Sequence, residues 1–441
     1  MPEDAKARLK QKFAGMMKAL FKEEGASLRV EILEDPAVIG FIDEHASVLD
    51  SGFAQVEMSD RMRARLRESD WIFSGMKTFH ELNEAFPSLL DENGERKPFE
   101  RFLNDVQSID ETYNQHYLRA EYNYAEASAE MAAKWEDIEK DGDDYNLQYR
   151  TAGDDKVRPE HAALHGVTLP PSDPFWDEYY QPNGWNCRCT VVQVLKDKYP
   201  TTDRTEALRR GREALAKDTK GMFRFNSGKQ GKTFPDYNPY TISKCTTCTR
   251  KLNLVKGLPD NEISETCLYL RTCSDPKSYY ADSEYGRRLK ISSRADLRDL
   301  EANIGTARKV LKAFPETEMT IRHHYTDGRK NPEYTIDGLI ADRKGIESYK
   351  GITAGFQSGR GQGCRALIFD LDEHMGEKPL PTHQLANKLH GREDDFRTDR
   401  IERCYIVYKG EAILITKDDY SFGNKKETVS RIEHLLETIK G

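Results

Sequence analysis

The segment RTAGDDKVRPEH, at residues 150–161, is followed by GWNCRC at residues 184–189, and together they hold the most distinctive pattern in this chain. The histidines and cysteines within and between these segments are His161, His165, Cys187 and Cys189. Neutral imidazole and thiolate are the ligands that tetrahedral zinc sites use. We therefore predict zinc bound by the two cysteines and one of the two histidines. The alternatives are buried packing residues or a redox-sensitive cysteine pair.

The residues around these segments predict a loop-rich unit. From residue 141 to about 195 the sequence is rich in Gly, Pro, Asp and Asn, which favour turns and loops. The aromatic residues Trp176, Tyr180 and Trp185 in the same stretch need burial. We expect a metal ion or buried aromatic rings to hold these loops together. Residues 191–217 are predicted to be helical.

The composition limits the class of protein. At 441 residues the chain exceeds one ordinary domain, and two or three are expected. Hydrophobic residues make up 37% and charged residues 32%, and the mean hydropathy is -0.78, which predicts a highly solvated protein with modest cores. No apolar run reaches the length of about 18 residues that a membrane span needs, so no membrane partner is expected. The net charge of -8 argues against a uniformly basic nucleic-acid binder, although a local basic patch is compatible with it.

The sequence divides into four predicted parts. Residues 1–140 are predicted to be helical, because apolar residues recur at three- and four-residue steps. Residues 141–240 hold the segments described above, and residues 241–284 hold a second cysteine cluster and a linker. Residues 285–441 mix helical and strand-like patterns, which predicts an α/β domain. The cysteines of the second cluster are Cys245, Cys248, Cys267 and Cys273. Their spacing leaves zinc ligands and separate small core residues as equal alternatives.

The last part contains NPEYTIDGLIADRK at residues 331–344. The pair Asp337-Gly338 between two strand-like runs predicts a β-hairpin. Asp342 and Lys344 are two residues apart on the returning strand, hence on one face, and Asp337 at the turn is expected to reach the same side. Two carboxylates and an ammonium at one point are the arrangement of metal-dependent phosphodiesterases, in which the carboxylates hold Mg²⁺ or Mn²⁺.

Simpler interpretations of these residues stay open. Asp337-Gly338 is a preferred turn pair in its own right, and Lys344 is compatible with an ordinary solvated strand residue. His323 and His324, just before the hairpin, are more typical of surface or turn histidines than of a general acid and base. If those two histidines are catalytic, the domain is instead a metal-independent RNase of the barnase, colicin and RelE kind.

The segments at residues 150–161 and 184–189 resemble the signature of phage Mu F-like head morphogenesis proteins, which are minor components of tailed-phage heads. In that family an Arg-Thr-Ala-x-Asp element leads through a histidine to a terminal Asn-Cys-Arg-Cys, and residues 186–189 match that ending. The resemblance implies a phage or prophage minor capsid protein. It also implies portal and other head proteins as partners, and the virion as the location.

Residues 285 to about 438 resemble the tRNase domains at the C-termini of contact-dependent growth inhibition toxins. They carry the D-x₄-D-x-K form of the restriction-endonuclease-like, or PD-(D/E)XK, pattern, with Glu333 in place of the Asp after proline and Asp342 in place of the commoner Glu. The resemblance implies a Mg²⁺- or Mn²⁺-dependent nuclease acting on RNA, above all tRNA, or on DNA in the bacterial host cytoplasm. It further implies an immunity protein that neutralises the nuclease. The residues implied as catalytic are Asp337, Asp342, Lys344, Gln362 and Glu301, of which the two aspartates hold the metal. The residues suited to phosphate contacts are Arg343, Lys350 and Arg360, with Arg329 and Lys330 nearby.

The sequence thus predicts a multidomain protein. Its N-terminal half is mainly α-helical with a loop-rich Cys/His unit, and its C-terminal domain is α/β with a mixed, restriction-endonuclease-like sheet. The predicted function is a phage head protein that carries a C-terminal nuclease toxin. The alternatives are a purely structural head protein with a non-catalytic C-terminal binding domain, and the metal-independent RNase.

Overall fold

The computed structural model describes residues 1–24, 27–218, 221–235, 238–240, 275–326, 328–372 and 379–439. They form two compact units, Met1–Ser278 and Tyr279–Gly441. The second cysteine cluster (Cys245, Cys248, Cys267 and Cys273) lies outside the described residues. Within the described ranges, no helix combines the length and the apolar composition needed to cross a membrane.

The first unit begins as an assembly of helices, as its apolar periodicity predicts. The apolar side chains three or four residues apart between Leu9 and Leu20 are all buried in the core. Two helices begin at side-chain caps, where Asp35 accepts a hydrogen bond from the backbone of Ala37 and Ser59 accepts one from Met62. The helices are α1 (Ala5–Leu20), α2 (Pro36–Asp50), α3 (Asp60–Ala85), α4 (Phe99–Asp105), α5 (Gln107–Asp110) and α6 (Leu118–Asp141), with a π-helical segment, Glu111–Tyr117, between the last two.

A group of charged side chains is buried between α2, α3 and α6. The ammonium of Lys77 lies 2.6 Å from a carboxylate oxygen of Glu121 and 3.0 Å from Nε2 of His45. Burial alone would raise the pKa of Glu121, but Lys77 and His45 lower it to about 2. Burial and the same ammonium lower the pKa of His45 to about 4, so this imidazole is neutral at neutral pH. Because removal of one partner from a buried ion pair leaves an uncompensated charge, this contact fixes the three helices relative to one another.

Glu81 lies in the same buried layer, and its titration should make the free energy of unfolding depend on pH. Burial raises the pKa of Glu81 to about 8 from its ordinary value of 4.5, although Lys77 and a hydrogen bond from Asn114 at 3.0 Å oppose the shift. The folded state therefore binds more protons than the unfolded state between these two values. Stability should fall as the pH rises through that window, by at most about 1.4 kcal/mol per pH unit.

Replacement of Glu81 by Gln removes this titration. We expect Glu81→Gln to raise the urea midpoint of unfolding at pH 8, and to change it much less, or lower it, at pH 5. The exposed Glu57, replaced in the same way, serves as the control and should leave the pH dependence as it is. An equal effect of Glu81→Gln at both pH values would contradict the assignment.

The chain after α6 forms a small layer around buried aromatic rings. Trp135, Tyr149, Trp176 and Tyr180 are all buried, and the hydroxyl of Tyr180 donates to the carbonyl of Met131 at 2.8 Å. The strands form an antiparallel sheet in the order β2-β1-β3. The elements are β1 (Asn146–Arg150), α7 (Pro159–Ala162), β2 (Thr168–Leu169), α8 (Phe175–Tyr179), β3 (Thr190–Val194), α9 (Arg204–Ala214) and α10 (Ser227–Gln230).

The predicted helix over residues 191–217 is therefore wrong in its first part. The sequence TVVQV forms β3 because its β-branched residues fit a pleated strand and pair with β1 along five residues. The helix α9 occupies only the second part of the predicted span.

The second unit is built on an eight-stranded mixed sheet, in agreement with the predicted α/β pattern. The spatial order of the strands follows the chain from β4 to β11. The pairs β5–β6, β8–β9 and β9–β10 are parallel and are joined through helices, whereas the other neighbours are antiparallel. The strands are β4 (Tyr279–Asp282), β5 (Gly286–Ser292), β6 (Met319–Ile321), β7 (Tyr334–Ile336), β8 (Leu339–Gly345), β9 (Ala366–Asp370), β10 (Arg403–Tyr408) and β11 (Glu411–Ile415). The helices are α11 (Leu300–Ala313), α12 (Gly351–Gly361), α13 (Thr382–His390), α14 (Glu393–Arg397) and α15 (Lys425–Glu437).

Helices cover both faces of this sheet. On one face α11 packs through Val310 in a core that includes Ile368 of β9. On the other face α12 packs through Phe356, whose ring stacks on that of Phe369 of β9 with centroids 5.6 Å apart. Because it is covered on both sides, β9 is buried along its whole length, which explains its uninterrupted apolar sequence ALIF.

Candidate functional site

The register of the β7–β8 hairpin places two acidic residues opposite each other. Tyr334 pairs with Ala341, so the residues one step further along, Glu333 and Asp342, lie opposite each other. The backbone N–H of Glu333 donates to Oδ1 of Asp342 at 3.2 Å. Burial raises the pKa of Glu333 to about 7, and the neighbouring carboxylates of Asp342 and Asp299 add to the shift. The carboxylate of Asp342 thus lies beside the backbone of Glu333 at the point where β7 begins.

Lys344 adds an ammonium to this pair. It lies two residues beyond Asp342 on β8, on the same face, and its Nζ donates to the carboxylate of Asp342. The same Nζ donates to Oε1 of Gln362 at 3.0 Å and to Oγ of Ser358 at 3.1 Å. Gln362 is the residue that ends α12. We call Glu333, Asp342, Lys344 and Gln362 the carboxylate–lysine cluster.

A neutral side chain of α11 orients the first carboxylate. Asn303 is buried and its amide nitrogen donates to Oε2 of Glu333. Its amide oxygen accepts hydrogen bonds from Nε of Arg343 at 2.8 Å and from the hydroxyl of Tyr334 at 3.1 Å. No sequence pattern marks Asn303, because a single amide on a helix has no distinctive spacing. Arg343, predicted as a phosphate contact, instead helps to hold this asparagine.

Two acidic residues predicted for the site lie elsewhere. Asp337 is at the hairpin turn, where its carboxylate pairs with Arg403 and accepts from the backbone N–H of Glu318 at 2.8 Å. It is four residues from Glu333 along an extended strand, or about 13 Å away. Glu301 is exposed in the first turn of α11. Positions 301 and 303 are two residues apart on the helix and therefore differ by about 200° of rotation. Asn303 thus faces the cluster and Glu301 does not.

The predicted basic residues are spread over the same unit. Arg360 donates to the buried carboxylate of Asp395 at 2.7 Å, which gives it a structural ion pair. Lys350 is exposed immediately before α12. Lys330 donates to the carbonyl of Gly361, next to Gln362, at 2.5 Å. The guanidinium of Arg329 lies 4.1 Å from the ring centroid of Tyr325.

His323 and His324 follow β6 in a loop. The ring of His323 meets that of Tyr325, with centroids 4.4 Å apart, and burial lowers the pKa of His323 to about 4. His324 lies 3.6 Å from a carboxylate oxygen of Asp296. A histidine with so low a pKa is neutral at neutral pH and is therefore poorly suited to act as a general acid.

The first unit brings together three of the predicted zinc ligands. Nδ1 of His161 lies 3.8 Å from the sulfur of Cys187, and the ligand atoms of His161, Cys187 and Cys189 all lie within 4.8 Å of one another. His165 points away and contacts Oγ1 of Thr151 at 2.8 Å. A hydrogen bond from Cys189, with support from His161, lowers the pKa of Cys187 to about 4 against the effect of burial. The same bond raises the pKa of Cys189.

Comparison with known proteins concerns this part of the chain. A family model described as Phage Mu protein F like protein matches residues 92–192. The chain carries a phage Mu F-like segment. The matched residues include His161, Cys187 and Cys189, as the resemblance of the sequence predicted.

Two curated proteins share parts of the chain. "Putative capsid assembly protein F" of Escherichia phage Mu is 41% identical over 71 residues, which are 16% of this chain and 16% of that protein. "Mu-like prophage FluMu F protein" of Haemophilus influenzae is 43% identical over 44 residues, which are 10% of this chain and 11% of that protein. The chain therefore matches only a small fraction of the length of these relatives. No solved structure matches it significantly.

Two glycines allow α12 to lie close to the sheet. A Cβ atom at Gly355 would collide with the ring of Phe369, and one at Gly359 would collide with the side chain of Leu367. Because α12 carries Ser358 and ends at Gln362, this close approach positions the groups that hold Lys344.

Replacement of Gly355 by Ala should push α12 away from β9. We expect a loss of about 1–3 kcal/mol of stability from overpacking, in spite of the better helix propensity of alanine. Gly305 of α11 is the matched control, because an added Cβ there would meet no atom within 4 Å. Urea unfolding of the full chain should show a lower midpoint for Gly355→Ala and an equal or higher one for Gly305→Ala; the same change in both would rule out the packing argument.

Proposed function

We propose that this protein is a component of a phage or prophage head and that its second unit is a nuclease dependent on Mg²⁺ or Mn²⁺. The head assignment is supported by the match of residues 92–192 and by the name of the phage Mu relative, which describes capsid assembly. The virion is then its location, and portal and other head proteins are its partners. The nuclease assignment is carried by one observation, the pairing of Glu333 with Asp342 across the hairpin, where the ammonium of Lys344 donates to the carboxylate of Asp342.

The position of the acidic residues supports a restriction-endonuclease-like domain. Pro332-Glu333 stands where the PD-(D/E)XK pattern has its Pro-Asp, and Asp342-x-Lys344 stands where it has its acidic residue, spacer and lysine. Glu333 therefore replaces Asp337 as the first carboxylate of the proposed site. The mixed sheet with helices on both faces is compatible with this assignment.

The donor groups fit a hard divalent cation. Burial raises the pKa of Glu333 to about 7, and repulsion from the Asp342 carboxylate adds to the rise, so a divalent cation held by both residues would relieve that repulsion. Carboxylate oxygens are the ligands that Mg²⁺ prefers in proteins. A cation held by Glu333 and Asp342 would supply Lewis-acid polarisation of a phosphoryl oxygen and a more acidic bound water.

The side chains around the carboxylates have separate roles. Asn303 fixes the orientation of Glu333 through its amide nitrogen. Gln362 and Ser358 hold the ammonium of Lys344 beside Asp342, where it stabilises negative charge that develops on a phosphate oxygen. The exposed Lys350, before α12, is placed to contact the phosphate backbone of a nucleic acid.

The choice of substrate depends on the resemblance of residues 285 to about 438 to tRNase toxin domains. RNA, and tRNA in particular, is therefore the proposed substrate, with DNA as the alternative. The same resemblance supports action in the bacterial host cytoplasm and neutralisation by an immunity protein.

A purely structural role for the second unit is the second candidate. The observation that favours it is the hydrogen bonding of Lys344, whose ammonium donates to three acceptors within the unit. A lysine with three donors satisfied in this way also suits a domain that only binds a partner.

Nuclease assays on the full chain distinguish these candidates. We expect Mg²⁺-dependent cleavage of tRNA, abolished by chelation, and a loss of about 100-fold or more in Asp342→Asn and Lys344→Met, since each removes a charge that acts in the transition state. The panel should include tRNA, other RNA and DNA.

Asp337→Asn is the matched control. It alters an aspartate of the same hairpin that lies at the turn, so cleavage should change only slightly once folding is checked by circular dichroism. Failure of the unaltered chain to cleave any of the three nucleic acids with either cation would favour the structural role. If Asp337→Asn loses as much cleavage activity as Asp342→Asn, the proposed position of the catalytic site is wrong.

A further inference from the structure

The group of His161, Cys187 and Cys189 has the dimensions of a metal site. His161 comes from α7, and the two cysteines lie in the turn that leads into β3. Their ligand atoms all lie within 4.8 Å of one another, and the Nδ1–Sγ distance from His161 to Cys187 is 3.8 Å. In a tetrahedral site with Zn–S of about 2.3 Å and Zn–N of about 2.0 Å, neighbouring ligand atoms are about 3.5–3.8 Å apart. Only a small contraction separates the observed group from that geometry.

The surroundings of the cysteines hold them in place. The backbone N–H of Ala152 is hydrogen-bonded to the sulfur of Cys189. Arg188, between the two cysteines, forms a two-point ion pair with Asp154 at 2.6 and 2.7 Å. Asn186, just before Cys187, has a positive φ of 56°, an uncommon conformation for a residue other than glycine. Hydrogen bonds to the ligand atoms and a fixed loop are the support that metal ligands usually have.

We infer that His161, Cys187 and Cys189 bind one zinc ion, which stabilises the loop-rich layer between β1 and β3. Imidazole and thiolate together suit Zn²⁺ better than Mg²⁺ or Ca²⁺, which prefer oxygen. The ion joins α7 to the turn before β3, and the backbone N–H of Ala152 ties the loop after β1 to the same site. These segments need such a link because β2, one of the three strands of this layer, has only two residues.

The two cysteines border a cavity. Among the residues that the structure describes, three side chains offer ligand atoms to the proposed ion. Cys187 and Cys189 line a cavity of about 510 Å³, together with Asn123, Glu130 and Lys134. A site with three protein ligands and such a cavity leaves room for water or a small ligand as the fourth.

The test measures zinc per chain in the full-length protein. The cysteines at 245, 248, 267 and 273 are first replaced by serine in a background variant, so that zinc bound by them is counted separately. In this background we expect one zinc per chain, lost in Cys187→Ser, Cys189→Ser and His161→Ala. The matched control is His165→Ala, which alters an exposed histidine four residues away and should keep the metal.

A second measurement covers variants that fail to fold. His161→Cys supplies another zinc ligand and should retain the ion. Cobalt(II) in place of zinc should give the absorption bands of a tetrahedral site with thiolate-to-metal charge transfer. Removal of the ion from the background variant by a strong chelator should lower the melting temperature, and added zinc should restore it.

Three results would overturn the inference. The first is a background variant without zinc, in which thiol titration finds Cys187 and Cys189 joined as a disulfide. The second is equal loss of zinc in His165→Ala and His161→Ala. The third is a cobalt(II) spectrum without thiolate charge transfer. None of these results bears on cleavage of nucleic acids, so the zinc site and the proposed nuclease can fail separately.

Discussion

The tight turn between β7 and β8 is the constraint on which the carboxylate–lysine cluster of the second unit depends. Asp337 and Gly338 both have positive φ, which fixes a tight hairpin turn, and the turn in turn fixes the register of β7 on β8. Like charges directly opposite each other on paired strands destabilise a sheet. Lys344 offsets this cost by its contact with Asp342, and Asn303 does so by its hydrogen bond to Glu333.

The sequence predicted the part of this site that depends on strand periodicity. Asp342 and Lys344 share a face because side chains alternate along β8, and this can be inferred from a spacing of two. Periodicity identifies a face but not a position along the hairpin, which is why Asp337 was expected in the cluster and lies at its far end. Gln362 and Asn303 come from α12 and α11, so their contacts depend on how helices pack on the sheet. No local pattern in the sequence contains that information.

The same distinction applies to the first unit. The apolar spacing from Leu9 to Leu20 predicted the buried face of α1, because it reflects the geometry of a single helix. Lys77 and Glu121 are far apart in sequence, and each alone resembles a residue on a solvated helix face. Their burial depends on the packing of α3 against α6, where each charge is tolerated because the other is present. Similarly, TVVQV forms a strand because it pairs with the edge of β1. The helical pattern of the residues that follow led to the wrong prediction of a helix here.

The two proposed metal sites differ in their chemistry, and this difference separates their roles. Thiolates and imidazole bind zinc tightly and release it slowly, which suits an ion that stabilises loops. Two carboxylates with an ammonium beside them bind a hard cation more weakly, and such a cation can share its coordination with a phosphate. The family match ends at residue 192, so it includes every ligand of the first site and no residue of the second. The proposed zinc ligands thus lie inside the segment that matches the phage Mu F-like family, whereas the carboxylate–lysine cluster depends on its own geometry.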